Sequence, residues 1–160
     1  MKHILVATDF SDTAAAALAQ GVELASANGA RLTLLHVIYA EKINETLLGL
    51  DAMEYLTRVM STPTEQAPYS PTLGMERLRQ AAEEKLREAV AGVNGPRLAI
   101  ETAIAEGRPS EEVLAFAEKE KVDLIVLGTH GRGAIGKALL GSVADHVIRQ
   151  AECPVMVVRK

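Results

Sequence analysis

Four short, almost unbroken apolar runs, Ile4–Thr8, Leu32–Ile38, Asp123–Leu127 and Val155–Val158, constrain the fold of this chain more than any other feature. A strand that is apolar on both sides must be covered on both sides, and a parallel sheet with helices on each face supplies that cover. Helical segments stand between the runs. After Ile4–Thr8, Asp9-Phe10-Ser11-Asp12 offers N-cap chemistry, Thr13–Asn28 places Leu18, Val22 and Ala25 on one face, and Gly29 is a helix stop. Residues 4–38 therefore read as a βαβ unit, for which the right-handed crossover is the default. Met75–Val93 is a second helix, with Leu78, Ala82, Leu86 and Ala89 on one face and Gly95-Pro96 as its end. Arg97–Ala105 alternates Leu98, Ile100, Thr102 and Ile104 against Ala99, Glu101 and Ala103, and that period of two predicts an edge strand. Gly107-Arg-Pro109 leads into a helix over Glu111–Glu120 with Val113, Leu114 and Ala117 inward, and Ser142–Gln150 is the last helix. Strands alternating with helices predict an α/β fold with an open, mostly parallel, doubly wound sheet. Ligands of such sheets lie beyond the C-terminal strand ends, where the strand order switches.

At 160 residues the chain has the size of a single domain, taken as 1–160. Residues 39–74 break the rhythm as an insertion, with Pro63, Pro68, Pro71 and Gly74 around one weakly amphipathic stretch, Asn44–Val59. It is either a surface excursion or a lid whose Leu47, Leu48, Met53, Leu56 and Met60 cap a ligand or a protein partner.

Seventeen basic against 21 acidic side chains give a net charge of −4, and aromatic residues make up 3 % with no Trp. Such a surface neither attracts nucleic acid or an anionic membrane at long range nor stacks bases, so any anion must be held locally. Cys153 has no partner for an intramolecular disulfide and fits a reducing compartment; its bland reading is a small apolar residue before a strand. Met1-Lys-His-Ile-Leu lacks the features of a signal peptide, and no apolar run reaches the ~20 residues of a membrane span. The expectation is a cytoplasmic protein with neither nucleic-acid nor membrane partner.

The candidate site is Gly128-Thr-His-Gly131-Arg-Gly133-Ala-Ile-Gly136-Lys137-Ala-Leu-Leu-Gly141-Ser142, in which five glycines follow an apolar run. Backbone approaches a polyphosphate closely only where side chains are missing, and the N–H groups so exposed are the donors an anion needs. Gly131, Gly133 and Gly136 spell a dinucleotide fingerprint, but that motif requires a carboxylate at the end of the next strand, which here runs out through Val157, Val158, Arg159 and Lys160. Gly131 to Ala138 is one residue short of a Walker A loop: Ala138 stands where a hydroxyl would ligate magnesium, leaving Lys137 either solvated or near phosphate.

The third spacing, Gly128-x2-Gly131-x9-Gly141-Ser142, resembles the nucleotide-binding signature of the universal stress protein family. Ile4-Leu-Val-Ala-Thr-Asp9-Phe-Ser, Leu34-Leu-His-Val37, Ala105-Glu-Gly107-Arg-Pro109, Val122 to Gly131 and Gly141-Ser-Val-Ala through Cys153-Pro-Val-Met-Val-Val match the family's blocks in order, leaving out only residues 39–74. The resemblance implies a five-stranded parallel sheet flanked by helices, a Rossmann-like three-layer sandwich of the adenine nucleotide alpha hydrolase type. It implies binding of ATP, or AMP or ADP, with Mg2+ or Mn2+. Ala7 and Thr8 would line base and sugar, the Val37 backbone would hydrogen-bond adenine, and Asp9 would meet the ribose or the cation. Gly128 and Gly131 would let the loop close, while Gly141, Ser142 and Val143 would offer N–H groups and a hydroxyl to the phosphates. Arg132 would neutralise phosphate or stay solvated, and Gly133 and Gly136 would give the loop freedom.

Other residues are weaker candidates. His36 reads as a satisfied core histidine, His130 and His146 have no partner at metal-ligand spacing, and Asp145 with Arg149 is an i,i+4 helix pair. No catalytic apparatus is evident. The reading is a nucleotide-dependent regulatory switch acting through oligomerisation or a partner, with a nucleotide-dependent enzyme, a slow ATP hydrolase or an adenylyl-transfer type, as the alternative. The apolar final strand 155–158 has no later strand to cover it and predicts a homodimer through that edge. The resemblance implies the same homodimer, with the insertion allowing a higher oligomer.

Overall fold

A computed structural model describes residues 1–39, 71–93 (backbone alone for 71–74), 98–129 and 140–159. The described elements are β1 (His3–Thr8), α1 (Asp12–Asn28), β2 (Arg31–Ile38), α2 (Pro71–Ala91), β3 (Ile100–Glu106), α3 (Pro109–Lys119), β4 (Leu124–Gly128), α4 (Ser142–Gln150) and β5 (Val155–Val158). The five strands form one sheet in the order β3-β2-β1-β4-β5, and every pairing is parallel. The chain builds outward from β1 through β2 to β3, then returns to β4 on the other side of β1. The switch in strand order therefore lies between the C-terminal ends of β1 and β4.

Period-two alternation divides each inner strand between two cores. Ile4, Val6, Leu32, Leu34 and Val126 pack with Leu18 and Val22 of α1 and Leu86 of α2. Leu5, Leu35, Ile125 and Leu127 pack with Val113 and Ala117 of α3 and Ala144 and Val147 of α4. The result is a three-layer α/β structure with both faces covered, which the unbroken apolar runs require. β3 is an edge strand, as its alternation predicts, although Leu98 and Ala99 precede its start at Ile100 and Arg97 lies outside the described residues.

Helix boundaries follow local chemistry. Ser11 caps α1, its side chain accepting from the Ala14 N–H at 3.3 Å, and Gly29 closes it in the left-handed region at φ 61°. α2 begins at Pro71, one turn before the expected Met75, and α3 at Pro109 rather than Glu111. Both prolines occupy the first helical turn, where a missing N–H is harmless, so each opens a helix instead of preceding it. The expected stop at Gly95-Pro96 and most of the insertion lie outside the described residues.

The start of β1 is tied down by Asp123, whose Oδ2 accepts from the Lys2 and His3 N–H groups at 2.5 and 2.9 Å. His3 itself is buried, with Nε2 2.8 Å from Thr33 Oγ1. The backbone donors of Lys2, then His3, hold the Asp123 carboxyl below its ordinary value of 3.8. A carboxyl depressed in the folded state stabilises it above the unfolded value and loses that contribution as pH falls through the folded one. The Lys2 and His3 amide resonances should therefore titrate together below pH 3.8, and Asp123→Asn should abolish that titration.

Candidate functional site

The site grows from the places where β1, β2 and β4 end. Backbone direction comes first. The Arg31 N–H donates to Lys2 O at 2.9 Å and the Gly107 N–H to Ile38 O at 3.0 Å, so odd residues of β2 face β1 and even residues face β3. Val37 thus turns its carbonyl toward β1, whose pairing stops at Thr8↔His36. The next donor along that path, the Phe10 N–H, bonds instead to Thr8 Oγ1 at 3.0 Å. The Val37 carbonyl consequently faces past the end of β1.

Around it the sheet gathers small apolar groups. Ala7, Val37, Ala105 and Val143 are partly buried against the same cluster, on the α3–α4 side. They form a floor of small apolar groups along the C-terminal ends of β3, β2 and β1, with Val143 contributed by the first turn of α4. Thr8 differs: it belongs to the α1–α2 face, and its hydroxyl is engaged by Phe10. Of the two residues expected to line base and sugar, Ala7 is on this floor and the Thr8 side chain is not.

After β1 the chain makes a tight turn. The Ser11 N–H donates to Asp9 Oδ1 at 3.1 Å, Ser11 Oγ lies 3.1 Å from Thr13 Oγ1, and Phe10 sits at φ 63°. A left-handed phenylalanine costs on the order of 1–2 kcal/mol and persists only where its surroundings over-determine it. Its ring packs on His36 with centroids 4.4 Å apart, and Lys85 Nζ lies 5.6 Å from the Phe10 centroid. Asp9 is half-buried within this braced turn.

The glycine stretch is anchored at both ends. Thr129, 3 % exposed, donates its N–H to Val158 O at 3.0 Å and accepts from the Gly141 N–H at 2.7 Å. Gly128 and Gly141 are thereby held side by side. Gly141 caps α4 with φ −64° and ψ 149° and no side-chain cap, so the Ser142, Val143 and Ala144 N–H groups precede the first helical bond, Asp145 N–H to Gly141 O at 2.9 Å. These donors and the positive end of the helix dipole suit an anion. A Cβ on Gly128 would lie 2.8 Å from both the carbonyl carbon and Oγ1 of Thr13. The glycine lets α1 cross the end of β4. Gly131 and Arg132, with His130, Gly133, Gly136 and Lys137, lie outside the described residues.

The remaining candidates stand apart from this floor. Arg149 Nε and Nη2 each contact Asp145 at 3.0 Å on the outer face of α4, the Arg149 hydrogen bonds holding the Asp145 carboxyl below its ordinary value. His146 is exposed on the same helix. Cys153 is half-buried, and burial pushes its thiol up, which disfavours the thiolate. Among the described residues no three His, Cys, Asp or Glu side chains converge as a metal site, and no helix is long and apolar enough to cross a membrane. A groove of about 800 Å3 opens between α1 and α2, lined by Thr8, Phe10, Leu18, Val22, Lys85 and Ala89 among others. It is on the opposite face of the sheet from Ala7, Val37 and Val143 and is a separate feature.

Phe10 and Thr129 have no role in the sequence reading, and His36, read there as a satisfied core histidine, is partly buried with Nδ1 2.8 Å from the Thr8 carbonyl oxygen. Thr129 lay inside the motif, flanked by the glycines, and could have been found there. Nothing local marks a phenylalanine for positive φ.

A family model described as the universal stress protein family matches residues 1–159. The chain is 36 % identical over 159 residues to a universal stress protein of Thermus aquaticus, covering 99 % of this chain and 98 % of that protein. It is 33 % identical over 162 residues to universal stress protein MJ0531 of Methanocaldococcus jannaschii, covering 99 % and 82 %. The solved structure of universal stress protein UspA from Lactobacillus plantarum matches with a TM-score of 0.68 at 26 % identity, covering 99 % of this chain and 97 % of that one. Two more distant structures share the fold. One is a universal stress protein in complex with cAMP, at 24 % identity and TM-score 0.54, covering 98 % and 95 %. The other, from Archaeoglobus fulgidus in complex with dAMP, has 19 % identity and TM-score 0.55, covering 99 % and 98 %.

Proposed function

The chain belongs to the universal stress protein family, and from that premise we propose that it is a regulatory protein that binds ATP, or AMP or ADP, at the C-terminal end of its sheet. The observation that carries this reading is the placement of two features at the C-terminal strand ends, on either side of β1 and against the same apolar cluster. One is the Val37 carbonyl facing past the end of β1; the other is the uncapped first turn of α4, pinned to β4 through Gly141 and Thr129. An acceptor on one side suits an adenine amino group, and clustered N–H donors on the other suit phosphates. That proteins of this fold are solved with cAMP and with dAMP supports the ligand class.

In this proposal Ala7 and the Thr8 backbone flank base and sugar, and Asp9 meets the ribose or a phosphate-bound Mg2+ or Mn2+. Gly141, Ser142 and Val143 hold the phosphates, joined by Gly131 and Arg132. The cation supplies neutralisation of phosphate charge; with no converging protein ligand set among the described residues, Asp9 would be its one ligand from them. Nothing in this arrangement aligns a general base with an attacking water, so the proposal is occupancy without rapid turnover. The occupied state would be read through a homodimer formed along β5 or through a protein partner, in the cytoplasm.

The test is calorimetric titration with Mg–ATP of the wild type and of Ser142→Pro. Gly141 already has the extended backbone that precedes proline, and proline at the first helical position leaves the helix intact while deleting the Ser142 N–H and hydroxyl together. The wild type should bind with a dissociation constant at or below about 10 µM, near 7 kcal/mol. Ser142→Pro should bind about tenfold or more weakly at unchanged melting temperature, through loss of charge-assisted hydrogen bonds from the N–H and the hydroxyl. Absence of binding by the wild type, or rapid phosphate or pyrophosphate release, would refute the reading.

A further inference from the structure

We propose that His36 is a positioning residue for this site: from β2 it holds the turn after β1 in the conformation that presents Asp9. The inference rests on the nucleotide reading above for its consequence, and on the geometry of the turn for its cause. His36 is paired in register with Thr8, the last residue of β1, and its Nδ1 lies 2.8 Å from the Thr8 carbonyl oxygen. A carbonyl only accepts, so Nδ1 carries the proton and donates. That bond fixes the peptide joining Thr8 to Asp9, at the point where the ladder with β2 ends.

The same ring supports the next residue. The His36 and Phe10 rings are 4.4 Å apart and tilted by 36°, and Phe10 is the residue held at φ 63°. Phe10 in turn donates its N–H to Thr8 Oγ1, and Asp9 Oδ1 accepts from the Ser11 N–H. One imidazole thus touches both flanks of Asp9, the carbonyl before it and the ring after it. If the imidazole lets go, Phe10 has an alternative at negative φ, and the Asp9 carboxylate leaves its bond to Ser11. A turn over-determined in this way keeps a carboxylate aimed without any contact between His36 and ligand.

Two replacements separate the hydrogen bond from packing. Leucine at 36 still fills space against Phe10 and cannot donate; asparagine places an amide N–H near the Nδ1 position. Amide hydrogen exchange of nucleotide-free protein and Mg–ATP titration are measured on the same preparations of wild type, His36→Leu and His36→Asn. In His36→Leu, exchange at Phe10 and Ser11 should speed by about tenfold while Leu5 and Ile125 stay protected, and ATP affinity should fall by about tenfold. His36→Asn should recover both to within about threefold. Unchanged Phe10 and Ser11 exchange in His36→Leu overturns the inference, as does unchanged affinity once the turn has loosened. If His36→Leu also loosens Leu5, His36→Gln decides, because its amide reaches toward Nε2 instead: retention with Asn and loss with Gln supports the assignment, and equal behaviour overturns it. Wild-type protein that takes up no ATP would sink the nucleotide reading, while the exchange data still decide whether His36 holds the turn.

Discussion

Gly128→Ala should lower the melting temperature by about 3–10 °C and weaken nucleotide binding in the same variant. The added Cβ would lie 2.8 Å from the Thr13 carbonyl carbon, 2.8 Å from Thr13 Oγ1 and 3.0 Å from the Ala14 nitrogen. Two of these atoms are backbone, so no rotamer change relieves them. α1 cannot lift away freely, because Ala14, Ala17 and Leu18 behind the contact are 3 %, 0 % and 3 % exposed. Overpacking of this kind costs roughly 1–3 kcal/mol, and for a chain of this length each kcal/mol is worth about 2–4 °C. Binding suffers through the same displacement, since the start of α1 continues directly from the Asp9 turn. Thr13→Ala in the Gly128→Ala background removes only Oγ1 and should restore only part of the loss. Differential scanning calorimetry is the check: a melting temperature within about 1 °C of wild type would show that α1 does not press on Gly128.

Val157→Pro should convert the proposed dimer to a monomer of 17.1 kDa without unfolding it. The ladder shows why this position is selective. The Ile125 N–H donates to Pro154 O and the Thr129 N–H to Val158 O, both at 3.0 Å, so even residues of β5 face β4 and the Val155 and Val157 N–H groups face outward. Proline at 157 therefore deletes an edge donor and spares the pairing with β4. Ile148 of α4 is 45 % exposed, a further apolar group at the surface. Light scattering should report twice 17.1 kDa for the wild type and the single-chain mass for the variant, at unchanged circular dichroism. A variant that keeps the wild-type mass would move the interface elsewhere.

The strands were legible because a run apolar on both faces can be satisfied in few ways. Leu5, Leu35 and Ile125 are each 0 % exposed, as are Ile4, Leu34 and Val126 from the other core. The caps of α1 were legible because Ser11 and Gly29 act within one turn of themselves. Pro71 misled by a turn, since a proline marks both an interruption and a first helical residue, and only the continuing backbone distinguishes them, whereas Pro109 stands at the helix start where its sequence context places it. In the site, the glycine spacing marked the neighbourhood, and Asp145–Arg149 was a helix pair as its spacing predicts. For Gly128 the fold adds a reason of its own beside the expected one. Its spacing points to a ligand, while the contact that excludes a side chain comes from α1.

By itself the sequence determined the class of fold, the order of its elements and the segment from which an anion site would be built. Each depends on periodicity, capping or spacing, which act within a few residues. Tertiary structure alone decided that β1 stops while β2 continues, turning the Val37 carbonyl past its end, and that His36 reaches the Thr8 carbonyl and the Phe10 ring. It also decided that Thr129 ties the two ends of the glycine stretch together. These contacts join residues far apart in the chain, and their geometry follows from strand register and helix packing, which no local pattern encodes.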